Sequence, residues 1–126
     1  DSAVTEAKLG AIKRTVIIPV FGDEDAVIVK NFPRRFAWPA MLNGDNIIAA
    51  SAVISGAVST SGSVVVAVTN AGGTVSTISI AAGQWSASGT VNTTYQAAST
   101  LNPVGINVTG AGTGAKGLSV YLELLG

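Results

Sequence analysis

The chain has 126 residues, seven Lys plus Arg, seven Asp plus Glu, and neither Cys nor His. That length is one ordinary domain. The missing thiols exclude a disulfide scaffold, a thiolate nucleophile and a Cys-based metal site, and the missing imidazoles exclude a Ser-His-Asp triad, His-bound zinc and imidazole acid–base chemistry.

A net charge of zero argues against general nucleic-acid binding, which rests on cationic neutralisation of phosphates. No stretch approaches the ~20 apolar residues of a membrane helix, and Asp1-Ser2-Ala3 lacks the basic flank and apolar run of a signal peptide. The expectation is a protein without catalytic residues, metal, cofactor, nucleic-acid partner or membrane span.

In chain order, residues 1–13 read as an N-terminal arm or stalk end, and 14–126 as the domain. Asp1 or Ser2 can cap a short helix with Val4, Lys8, Leu9 and Ile12 near helical spacing, weakened at Gly10. A helix this short needs a partner to pack on, so Val4, Leu9 and Ile12 are candidate subunit or capsid contacts.

Arg14–Phe21 is β-branched, with Pro19 demoting it to an edge or a bulge. Gly22-Asp-Glu-Asp25 reads as a turn and Ala26–Lys30 as the returning strand, a hairpin over 14–30. Asn31-Phe-Pro33 breaks the run. Arg34 and Arg35 follow among Phe32, Phe36 and Trp38, with Phe36 and Trp38 on one face. Stacking of such a cluster on a base or sugar competes with core aromatics beside a solvated or interfacial arginine; Arg34 and Arg35 are candidate contacts to a subunit or to a capsid.

Leu42–Asn46 has turn chemistry. Ile47–Ile54 is apolar on both faces, which suits a central strand or one covered by another subunit. Ser59–Gly62 turns the chain, Val64–Val68 is a strand, and Asn70–Gly73 closes a hairpin with Val75–Ile80, where Ile78 and Ile80 oppose Thr77 and Ser79. Residues 87–102 read as a Ser/Thr/Asn/Ala-rich loop anchored by Tyr95 and Leu101. Val104–Val108 and Leu118–Leu124 alternate cleanly, as half-buried antiparallel strands do. The fold expected is all-β: an antiparallel, jelly-roll-like β-sandwich of about eight strands with a short N-terminal arm.

Other candidate sites have plain alternatives. Gly112-Thr-Gly-Ala-Lys-Gly117 matches the dinucleotide glycine pattern, but a strand and not a helix follows, so it reads as a hairpin loop. Asp23-Glu24-Asp25 suits Ca²⁺ in ligand type, yet a solvated hairpin tip accounts for it. Trp85 and Tyr95, among hydroxyls and amides, are candidate glycan contacts. Asn92-Thr-Thr and Asn107-Val-Thr fit the glycosylation pattern and are given no weight.

Twelve of the fourteen charged residues precede position 47; Lys116 and Glu123 alone follow. Mean hydropathy is +0.50. A surface so poor in charge is either hydroxyl-solvated or buried against copies of itself, and the second is favoured because a neutral β-rich monomer invites edge-to-edge association.

Pro33-Arg-Arg-Phe-Ala-Trp-Pro-Ala-Met-Leu-Asn-Gly-Asp45, the Thr60–Asn70 hairpin segment and the closing 110–124 stretch resemble tailed-bacteriophage virion β-sandwich proteins of fibres, spikes and capsid decorations. The Val4–Leu9 stretch looks like the linker before such domains. The resemblance implies a non-enzymatic, trimeric part of the virion, a capsid decoration or head fibre, whose partners are its own copies and phage capsid or other virion proteins. A receptor- or glycan-binding tip of a tail fibre or spike, contacting a host surface glycan, is the alternative.

Overall fold

The computed structural model describes residues 13–70 and 73–125. The arm contacts expected at Val4, Leu9 and Ile12 lie outside the described residues. Eight strands run in order: β1 (Lys13–Ala26), β2 (Lys30–Phe36), β3 (Asn46–Ala57), β4 (Val64–Asn70), β5 (Gly73–Ile80), β6 (Ser86–Gly89), β7 (Val104–Ala111) and β8 (Lys116–Leu125). One 3₁₀ turn, Ala40–Leu42, precedes β3.

The strands form two four-stranded antiparallel sheets, β1-β8-β3-β6 (sheet A) and β2-β7-β4-β5 (sheet B). Strand 1 pairs with 8, 2 with 7, 3 with 6 and 4 with 5. A long antiparallel hairpin rolled over itself gives this pairing, and successive pairs fall alternately into the two sheets. The molecule is the jelly-roll sandwich expected from the strand count and turn chemistry.

Period-2 alternation builds the core. Leu118, Val120, Leu122 and Leu124 of β8 are fully buried, as are Val64, Val66 and Val68 of β4 and Val104, Ile106 and Val108 of β7. They meet Ile47, Ala52 and Ile54 of β3 and Ile78 and Ile80 of β5 between the sheets. Burying each of these branched side chains contributes about 1.5–3 kcal/mol relative to exposure. Trp38 closes one side of the core, edge-on to Phe36 at 5.3 Å between ring centroids.

Two buried polar groups fix the ends of this apolar layer. Asn70 accepts from Trp38 Nε1 at 3.1 Å and donates to the carbonyls of Tyr95 and Ala97, both at 2.8 Å. Ser59 Oγ accepts from the Thr113 amide at 3.1 Å and donates to the Ser61 and Gly62 carbonyls. It thereby ties the β3–β4 connection to the 110–117 loop, where Gly112 and Gly114 take positive φ. That loop is not the hairpin loop expected from sequence: β7 and β8 are unpaired, so it carries the chain from sheet B across to sheet A, and strand β8, not a helix, follows it.

The chain departs from the expected pattern in three further places. Residues 14–30 are not a hairpin: β1 runs on through Gly22-Asp-Glu-Asp25 and pairs only with β8, with register shifts at Pro19/Phe21 and Phe21/Ala26. An edge strand tolerates Pro19 and absorbs the acidic run as bulges. Buried Val27, whose amide donates to the Ala115 carbonyl at 3.0 Å, then carries the chain across to sheet B. Lys13, placed in the arm from sequence, opens β1. And 87–102 is not all loop, because Ser86–Gly89 adds an edge strand to β3.

Candidate functional site

Sheet A's outer face is assembled from cross-strand rows. Thr15, Glu123 and Ala49 lie side by side; so do Ile17, Tyr121, Ser51 and Ser88, and Pro19, Ser119, Val53 and Ser86. Glu123 is the one ionised side chain in these three rows. Because Ala49, Ser51 and Ser88 are small, they leave a shallow hollow of about 280 Å³, flanked by Thr15, Tyr121 and Glu123. Beside it Ile17 stands 55% exposed. An apolar knob next to a hollow floored by small side chains is a shape that a second molecule can fill.

Sheet B differs. Its charges are Lys30, Arg34 and Arg35, all on edge strand β2; β4, β5 and β7 carry none. Arg34, Phe36 and Trp38 share the core-facing side, as the spacing predicts, since Arg34 pairs with buried Ile106 and Phe36 with buried Val104. Arg35 pairs with Gly105 and so takes the outer side. The two arginines therefore point to opposite faces and do not form one patch. Arg35 instead lies over the Phe32 ring, 4.7 Å from its centroid, beside a groove of about 210 Å³ lined by Phe32, Arg35, Thr69, Asn102, Pro103 and Gly105.

Trp85 and Tyr95 are not brought together. The Trp85 carbonyl receives the Ile54 amide and the Gln96 carbonyl, next to Tyr95, receives that of Ile47. Ile47 and Ile54 are seven residues apart on β3, about 23 Å of strand. Trp85 is 53% exposed. The half-buried Tyr95 ring packs over Gly73, where even a Cβ would collide with it.

The acidic run is not a hairpin tip. Asp23 accepts from Ser55 Oγ at 2.6 Å, and its backbone crosses close over Gly56, where a side chain would strike the Asp23 carbonyl. Asp25 accepts from the Gly22 amide at 3.2 Å. Among the described residues no three acidic groups converge to hold a metal, and the one ion pair is Arg14–Asp45 at 2.7 Å. Arg14 sits on the core-facing row opposite Leu124, and its guanidinium reaches the buried Asp45 in the 3₁₀ connection. That pair fastens the start of β1 to the loop before β3. The sequence reading missed it because 31 residues separate the partners.

Among the described residues no helix is long and apolar enough to cross a membrane. Comparison of the chain with family models, curated proteins and solved structures gave no match.

Proposed function

We propose that the chain is a non-enzymatic structural part of a tailed-bacteriophage particle, a capsid decoration or head fibre. It acts by associating with copies of itself, as a trimer, and by attaching to the virion. The observation that carries this reading is the middle of sheet A's outer face: three cross-strand rows with Glu123 as their single ionised group, an exposed Ile17 and a hollow floored by small side chains beside it. A rigid sheet with little charge loses little solvation when covered, and each Å² of apolar area removed from water contributes about 25 cal/mol. Jelly rolls recur in viral capsid proteins, which agrees with the resemblance seen in residues 33–45, 60–70 and 110–124. The trimeric count and the virion location come from that resemblance. The arm before β1, with Val4, Leu9 and Ile12, is assigned to attachment; Arg34 and Arg35, on β2 of the opposite sheet, lie outside this face.

The direct test is co-sedimentation of the purified chain with empty phage capsids and, in parallel, with host cells. Saturable binding to capsids is expected. Binding to cells alone would replace this reading with the second one, a receptor- or glycan-binding tip. The exposure of Trp85 favours that second reading, and it requires Trp85→Ala to reduce adsorption.

A further inference from the structure

We propose that the groove between β2 and β7 binds a carboxylated sugar of the uronic-acid class, with Phe32 as the stacking surface and Arg35 as the carboxylate clamp. The groove opens on the outer side of sheet B, opposite the face assigned to assembly, so the proposal stands or falls separately from that reading.

The site begins with a bulge. The β2–β7 register slips between Lys30 and Arg34, and Asn31-Phe32-Pro33 occupies the slip. Pro33 cannot donate to the ladder. Bulges of this kind re-aim a side chain, and here the side chain is Phe32. Its φ is +51°, the one non-glycine residue described with positive φ, in a region that bulky side chains avoid. Three contacts hold it there. The Phe32 amide donates to Asn107 Oδ1 at 2.6 Å. The Cδ1 and Cε1 carbons of the ring lie against Gly105, where an added Cβ would come within 2.5 Å of both. Arg35 covers part of the ring.

The strained residue is nevertheless not buried: Phe32 is 40% exposed. A fold that needed an apolar plug here would hide it, and strain retained at an exposed aromatic is typical of ligand-contacting positions.

Charge and size narrow the ligand. Sheet B carries three cations and no acid, and among the described residues Arg35 belongs to no ion pair. A guanidinium fork matches a carboxylate bidentately. Thr69 Oγ1 donates its proton to the Gly105 carbonyl at 3.2 Å, which leaves it as an acceptor, and the Asn102 amide adds a donor and an acceptor. The volume of about 210 Å³ is below the span typical of drug-sized ligands and has room for one ring. A sugar ring places its apolar C–H face on Phe32, its carboxylate on Arg35 and its hydroxyls on Asn102 and Thr69. A nucleic acid fits poorly, because the strands flanking β2 offer no further cation for a phosphate chain.

The test is a backbone-amide NMR titration of the full chain with methyl glucuronoside, methyl glucoside and inorganic phosphate, each up to roughly ten millimolar. Methyl glucuronoside is expected to shift the amides of Phe32, Arg35, Asn102 and Gly105, and methyl glucoside to leave them in place. Arg35→Gln and Phe32→Asn should each weaken the effect about tenfold while the rest of the spectrum stays dispersed, since Asn adopts positive φ readily. No shift with the glucuronoside overturns the proposal. So do equal shifts with the glucoside, and so does phosphate matching the glucuronoside at the same residues, which would make the groove a plain anion site.

Discussion

The β7–β8 segment and the β1–β2 segment use sequence in opposite ways. In β7 and β8 every second residue is apolar and buried, the turn is glycine, and the two charges, Lys116 and Glu123, stay off the core-facing rows. In β1 and β2 prolines and charges interrupt the alternation and register slips three times. The first region holds the sandwich together. The second forms two of its edges and carries the groups proposed above to make contacts, Ile17, Phe32 and Arg35. Regularity goes with stability here, and irregularity with recognition.

That contrast can be broken by mutation. Leu122→Ala should cost about 2–5 kcal/mol in denaturant unfolding, whereas Ile17→Ala on the outer face should change the monomer by less than about 0.5 kcal/mol. Equal losses would erase the distinction between the two regions. Asn70→Ala comes next, at about 2 kcal/mol, because it leaves the buried Trp38 indole N–H without an acceptor and two carbonyls without a donor. Arg14→Met should cost about 1 kcal/mol, since Arg14 is partly exposed but leaves Asp45 buried and unpaired. A double-mutant cycle with Asp45→Asn should recover most of that as coupling. Smallest in stability is Pro19→Val, within about 0.5 kcal/mol. Its consequence is faster aggregation by light scattering, because it restores a pairing donor to an edge strand.

Where one residue in two faces the core and turns are glycine-marked, the sequence is readable: β4, β5, β7 and β8 follow directly, and the sandwich with them. The failures have local causes. In β3 a one-residue slip between Ile47 and Ala49 places both Ile47 and Ala50 inward and leaves Ile48 and Ala49 outside; with apolar residues on both faces, no pattern marks the slip. In β6, Ser-Ala-Ser-Gly has no strand-forming side chain and is extended because β3 offers it an edge. Asp23–Asp25 looked like a turn because the acids and Gly22 favour one; Ser55 and the bare Gly56 backbone hold the run against β3 instead. As for the groove, Phe32 and Arg35 were visible as an aromatic–basic cluster, but Thr69 on β4 and Asn102 and Gly105 around the start of β7 come from two distant segments that only the sheet order assembles.

The central claim is that the middle of sheet A's outer face is made to be covered by another copy. Sedimentation equilibrium of the wild-type chain and of Ile17→Asp at micromolar concentration tests it most directly. The account predicts a discrete multimer for the wild type and a folded monomer for the variant; a wild-type chain that sediments as a monodisperse monomer would contradict it.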